Sequence, residues 1–272
     1  MEMKKHYKRA LTIAGSDPSG GAGIQADLKT FSACGCFGTS AIVAVVDENT
    51  VGVTGVHPVP VDFVTGQIKS VLDDIGTDSV KIGMLHSSEL IRAVRDTLAS
   101  YDMHNVVLDP VIVATSGDKL LQDEAISTLK NELVPYVRVI TPNIPEAEIL
   151  LGEKINRQAD LRRVIKDLSV NRSVSVLLKA GHLSESTLTD VFYNAETDEI
   201  LELTSQRLQT KNTHGTGCTF SSAVAAYLAH GLPLNDAVRS AKEYINRALI
   251  AGSEYEIGKG YGPVHHFFSF WE

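Results

Sequence analysis

The stretch Thr210-Lys-Asn-Thr-His-Gly-Thr-Gly-Cys218-Thr-Phe-Ser-Ser222 carries residue types that can handle a phosphate. Gly215 and Gly217 let the backbone approach a ligand closely and adopt angles that other residues avoid. A helix pattern begins near Cys218. A helix start aims unpaired N–H groups and a positive dipole end at whatever lies before it. Such a site stabilises the charge on a phosphoryl group in flight. The plain alternative is a tight turn capped by Thr216 ahead of an ordinary helix. At that position the Cys218 thiol is expected to have a lowered pKa and to serve as general base toward a hydroxyl, or only to line the hole.

A second set of residues suits a metal and nucleotide phosphates. Asp109 ends one apolar run and Asn143-Ile-Pro-Glu146 follows another. Magnesium takes a few carboxylate contacts, waters and phosphate oxygens, and Asp109 with Glu146 can supply the carboxylates. Otherwise Asp109 is a turn residue and Glu146 an acid complementing a helix dipole. Lys179, at the end of a strand-like run, can reach a phosphate as a point charge; Lys211, Thr213 and Lys242 are weaker nucleotide-binding candidates.

Gly21-Ala-Gly23-Ile-Gln-Ala26 fits a dinucleotide-binding glycine pattern and offers a rival, an NAD-dependent oxidoreductase. In that fold the glycines follow the strand directly. Here Gly15-Ser-Asp-Pro-Ser-Gly20 intervenes, and the longer loop suits enclosing a small substrate. Asp27, one turn into the next helix, is then a candidate acceptor for a substrate hydroxyl or amino group.

These residues need a scaffold that brings them together. Apolar runs at Ala10–Ala14, Ser40–Val46, Val80–Ile82, Val106–Leu108, Val137–Thr141 and Val174–Leu178 alternate with helical patterns at Gly23–Ala33, Val61–Ile75, Ser88–Ser100, Glu124–Leu133 and Ala159–Leu168. Continuous apolar strands between amphipathic helices predict an α/β fold, a mostly parallel sheet with helices on both faces. Asp190–Tyr193 and Glu199–Thr204 predict a small edge hairpin, and Thr219–His230 and Leu234–Ile250 two final helices. No linker or repeat interrupts residues 1–272, so one domain is expected. Ligands sit beyond the carboxyl ends of such strands, where Gly15, Glu48, Met84, Asp109, Glu146 and Lys179 fall.

The net charge of -8 over 272 residues, with no basic run, excludes a surface built for nucleic acid or an anionic membrane. Any phosphate must be met locally. No stretch has the length of a membrane span and no signal peptide is evident. Three cysteines, Cys34, Cys36 and Cys218, argue against a disulfide framework and for a reducing cytoplasm.

Taken together, Leu11–Phe31, Lys81–Leu85, Val107–Val111, Thr141–Glu146, Thr210–Thr219 and Gly258–Phe267 resemble the hydroxymethylpyrimidine and phosphomethylpyrimidine kinases of thiamine biosynthesis, in the ribokinase-like superfamily. The resemblance implies a three-layer α/β/α sandwich, a homodimer, ATP and magnesium. It implies two successive phosphorylations, of the hydroxymethyl oxygen and then of the monophosphate. By position it assigns Gly15, Asp27, Val46, Glu48, Met84 and Val111 to the pyrimidine, Asp109 and Glu146 to metal, and Lys179 to nucleotide phosphates. Gly215, Gly217 and Cys218 would form the anion hole, with Cys218 the base. Glu48 departs from the glutamine usual in that family: an ionised carboxylate only accepts hydrogen bonds, whereas an amide also donates. Ala180, where glycine is frequent, is a milder change. A pyridoxal-type kinase, whose substrate is also a flat heteroaromatic with a hydroxymethyl group, and a non-catalytic binder remain the alternatives.

Overall fold

The structure is a computed structural model that describes residues 5–112 and 121–271; residues 1–4 of the basic N-terminal run lie outside the described residues. Short, buried, predominantly apolar strands dictate the architecture. β1 (Arg9–Ala14), β2 (Phe37–Ile42), β5 (Ser79–Ile82), β6 (Val106–Leu108), β7 (Val139–Ile140) and β8 (Ser175–Leu178) pair in parallel. β9 (Thr187–Asn194) runs antiparallel to β8, and β10 (Glu199–Gln206) closes that edge as the expected hairpin. The order in this eight-stranded sheet is β10-β9-β8-β7-β6-β5-β1-β2.

Alternate strand residues feed two cores, so both faces of the sheet must be covered. Val106 and Leu108 point to one face, packed with α2 (Val61–Asp74), α3 (Ser88–Ser100), α4 (Asp123–Thr128), α5 (Ile144–Leu151) and α6 (Leu161–Leu168). Val107 points to the other, against α1 (Gly23–Ala33), α7 (Thr216–Ala229) and α8 (Leu234–Gly252). These are the three layers expected of the chain. Among the described residues no helix is long and apolar enough to cross a membrane.

Three local expectations are corrected. The run Ser40–Val46 is not one strand: it breaks at Val43, whose amide bonds Ala14 O at 3.0 Å, and continues as β3 (Ala44–Asn49). β3 folds back on β4 (Gly52–Pro58) as a separate antiparallel ribbon with a bulge at Asp47 and Glu48. The alternation of small and β-branched residues through Pro58 carried this second hairpin, but the tip Asn49-Thr-Val-Gly52 lacks the usual two-residue turn signal. The helix expected over Glu124–Leu133 is α only to Thr128 and finishes as a π turn over Leu129–Leu133. The helix expected at Thr219 begins at Thr216. Its N-cap is Gly215 with φ 72°, not Thr216, whose hydroxyl donates to Thr213 O at 2.7 Å. Only a residue without a side chain takes that left-handed angle at no steric cost.

Candidate active site

A cleft of about 1020 Å³ runs along the carboxyl ends of the strands. That is at or above the upper end of the usual range of about 300–1,000 Å³ for one small-molecule site, and leaves room for a nucleotide beside a second ligand. At one end Gly15, Val46, Glu48 and Met84 line it. A Cβ on Gly15 would stand 3.2 Å from Met84 Cε and 3.6 Å from Val46 Cγ2, so glycine there keeps a flat slot open. At the other end Leu208 from the segment after β10 and Ile245, Leu249 and Ile250 from α8 form an apolar wall, with Gln206 and Asn246 as polar groups.

The first turn of α7 lies between these ends. Gly215, Gly217 and Cys218 all line the cleft, so the amides that open the helix face it. The N-terminus of α1 meets the same point, where the Gly23 amide favours the ionised form of the Cys218 sulfur. Burial is the largest influence on this thiol and pushes its pKa up to about 11, against the pull of the Lys81 ammonium and the Gly23 amide. The expected lowering is therefore reversed: desolvation of a thiolate outweighs the helix-end effect. At neutral pH the resting group is a thiol.

Opposite Cys218 stand the expected carboxylates. Asp109 Oδ1 accepts from Lys179 Nζ at 2.9 Å and from Thr141 Oγ1 at 3.1 Å. A Cβ on Gly217 would lie 3.5 Å from Asp109 Oδ2 and 3.3 Å from Lys179 Nζ, so this acid–base pair directly faces the helix start. Burial works against the Asp109 carboxylate, but Lys179 and Lys81 hold its pKa below the ordinary range. Glu146 Oε2 accepts from the Asn143 amide at 2.9 Å, and Asn143 Oδ1 from the Glu146 amide at 2.9 Å, a capping box that fixes the acid on α5. Burial and the Asp109 charge raise Glu146 to about 8, with Lys179 opposing. Two buried, adjacent carboxylates that resist sharing negative charge fit a divalent cation. Among the described residues no cluster of three or more acidic, histidine or cysteine ligands occurs. That donor set suits magnesium, which keeps waters and phosphate oxygens, rather than an all-protein cage.

Thr213 and Val111 line the cleft as expected. Lys242 also lines it, but its ammonium is paired with Asp190 Oδ2 at 2.8 Å. Two expectations are corrected. Lys211 is exposed and does not line the cleft. Asp27 is fully buried: Oδ2 accepts from Thr12 Oγ1 at 2.6 Å and Lys81 Nζ at 2.9 Å, and Oδ1 from Ser222 Oγ at 2.6 Å. Its acceptors are spent on the protein interior, so it orders the floor beneath Cys218 instead of meeting a substrate.

Sequence reasoning missed Lys81 and the pair Asp17–His214. Asp17 accepts from the Gly21 amide at 3.0 Å, the Ala22 amide at 2.6 Å and His214 Nε2 at 2.8 Å. Burial opposes its charge, yet these donors and Ser19 hold its pKa well below the usual carboxylate range. Burial likewise disfavours a charged His214, but the Asp17 hydrogen bond wins and raises its pKa. Glu48 Oε1 lies 4.0 Å from the same His214 nitrogen, and burial followed by repulsion from Asp17 raises the Glu48 pKa. His214 stood in the glycine-rich motif, but nothing in the spacing tied it to a residue 197 positions away.

Residues 17–265 match the phosphomethylpyrimidine kinase family. The chain belongs to that family. A hydroxymethylpyrimidine/phosphomethylpyrimidine kinase of Rhizobium meliloti is 46% identical over 264 residues, covering 97% of this chain and 98% of the relative. A crystal structure of Bacillus subtilis pyridoxal kinase with ADP superposes with a TM-score of 0.87 at 37% identity, over 96% of this chain and 98% of that one. A phosphomethylpyrimidine kinase of Clostridium difficile gives 0.77 at 40% identity, over 88% and 98%. Family membership makes the chain a phosphotransferase, and the oxidoreductase and binder readings fall away.

The Asp27–Lys81 pair makes a measurable prediction. Lys81→Met strands a buried carboxylate and should lower stability by about 3–5 kcal/mol. Adding Asp27→Asn should recover most of that loss. Urea unfolding of the single and double variants checks both, and additive losses would show that the pair is not coupled.

Proposed function

We propose that this chain transfers the γ-phosphoryl group of ATP to the hydroxymethyl oxygen of 4-amino-5-hydroxymethyl-2-methylpyrimidine, and then phosphorylates the monophosphate to the diphosphate, in thiamine biosynthesis. The observation that carries this reading is the position of Cys218 and the α7 N-terminus between a slot for a flat ring and an end suited to a nucleotide. The names of the full-length relatives agree with it.

In this reading the apolar wall of Leu208, Ile245 and Leu249 takes the adenine, and Lys179 meets the phosphates. Asp109 and Glu146 would hold magnesium, which when bound would supply positive charge against the leaving diphosphate. The amides of Gly217 and Cys218 receive the developing charge on the transferred group. In its minor thiolate form, the thiol proton already given up to solvent, Cys218 takes the hydroxyl proton as the new O–P bond forms and ADP departs. Gly15, Val46 and Met84 enclose the ring, and Glu48 accepts from its amino group. The second transfer differs chemically: its nucleophile is a phosphate oxygen, whose second pKa near about 6 leaves it ionised at neutral pH. That step needs the anion hole but no base.

A pyridoxal-type substrate is the second reading, favoured by the superposition on pyridoxal kinases. ADP release measured with each candidate compound, with and without magnesium, separates the two. Turnover only with pyridoxal-type compounds would overturn the pyrimidine assignment. The same reading expects a cytoplasmic homodimer, and light scattering of the purified chain tests the oligomeric state.

Cys218→Ala should cut the first phosphorylation by about 10² or more while sparing the second. Because the base must be the thiolate and the resting thiol sits at about 11, wild-type kcat for the first step should climb with pH from about 7 to about 9. The variant should lose that slope, and equal damage to both steps would leave Cys218 a lining residue. Gly217→Asp sets a carboxylate against Asp109 and the transferred group; normal activity in it would remove the anion-hole role. Glu48→Gln should shift the ratio of pyrimidine to pyridoxal-type activity between about pH 6 and about pH 8, and an unchanged ratio takes Glu48 out of recognition.

A further inference from the structure

The run Gly258-Lys-Gly-Tyr-Gly262 follows α8 and lines no part of the cleft, yet its glycines are dictated by contacts with two segments that do. Thr50, at the tip of the β3–β4 hairpin, is gripped from three sides. Its hydroxyl oxygen accepts from the amides of Lys259 at 3.1 Å and Gly260 at 3.2 Å, and its carbonyl from the Tyr261 amide at 2.8 Å. A side chain on Gly258 would run into Thr50 Oγ1, and one on Gly260 into Thr50 O. Two residues on, a side chain at Gly262 would run into Asn212 Oδ1, and Gly262 O accepts from the His214 amide at 2.9 Å. Asn212 in turn donates to Gly252 O and Tyr255 O, both at 2.6 Å. Five consecutive residues therefore hold both the hairpin that carries Val46 and Glu48 and the loop that leads into Gly215–Cys218.

The hairpin needs such a hold. A two-stranded ribbon is marginal by itself in water. Its attachment to the first strand's loop rests on Ser16, whose amide bonds Ala44 O at 2.9 Å and whose hydroxyl accepts from the Val46 amide at 3.0 Å. Val45, Val51 and Val56 remain exposed, so apolar burial does little to fix the tip.

We propose that Gly258–Gly262 is a strap, with Thr50 as its latch, that sets the ring-binding hairpin in register with the anion-hole loop and couples the two. Thr50 is a positioning residue: it touches neither ligand, but its loss lets Val46 and Glu48 drift relative to Cys218. The ring and phosphate assignments rest on the proposed function; the physical coupling of the two segments does not.

Thr50→Val removes the acceptor and keeps the shape, and Thr50→Ser restores the acceptor. In the ligand-free protein, hydrogen exchange in Thr50→Val should quicken at residues 44–58, 258–262 and also 212–219, and Thr50→Ser should return all three to wild-type protection. Faster exchange confined to the hairpin and strap would overturn the coupling, whatever the substrate. In turnover, Thr50→Val should raise KM for the hydroxymethylpyrimidine about tenfold, the loss of roughly one hydrogen bond to position, with KM for ATP within about twofold. An unchanged pyrimidine KM, or equal rises in both constants with a lowered Tm, would reduce the strap to a structural tie. Failure of the wild type to phosphorylate any candidate compound would instead count against the proposed function and leave the exchange result to judge the strap.

Discussion

Two loops approach each other so closely that neither tolerates a side chain, and the active site hangs on that contact. A Cβ on Gly215 would collide with Gly21 O, and one on Gly21 would press on His214 and Pro263. The contact brings the start of α7 against the loop before α1. It lets the Gly23 amide reach the Cys218 sulfur and lets His214 reach Asp17. Asp17, with donors from Ser19, Gly21, Ala22 and His214, is the tie that keeps the first loop in this shape. Backbone N–H groups otherwise without partners are thereby pointed at one place, which is what an anion in transfer requires.

Charged groups then gather beneath and beside the start of α7. Lys81 lies fully buried beneath Cys218, paired with Asp27, and its pKa is raised because the Asp27 and Asp109 carboxylates outweigh the cost of burial. Lys179 is shared between Asp109 and the field of Glu146. Glu146 and Cys218 are both held toward their neutral forms.

Function and scaffold share residues less than the spacing suggested. Asp27 belongs to the scaffold, and Lys211 belongs to neither. The C-terminal Gly258–Gly262 segment, remote in sequence from every candidate residue, meets both the hairpin and the anion-hole loop. The apolar wall at one end of the cleft draws on α8 side chains whose helical spacing reads as ordinary core packing.

The sequence by itself determined the layers, the mostly parallel sheet and the edge hairpin, because predominantly apolar runs between amphipathic helices bury in only a few ways. It also marked the glycine-rich entry to α7 at Gly215 and Gly217, since such a turn is a local signature that short-range geometry obeys. Only the tertiary structure decided what happens across long separations. It paired Asp17 with His214 and Asp27 with Lys81, and it detached the β3–β4 ribbon from the main sheet. It also reversed the expected pKa of Cys218. The physical reason is that helix ends and turns are set by neighbours in the chain. Desolvation and ion pairing are set by whatever the fold places within a few ångströms, and no local pattern records that.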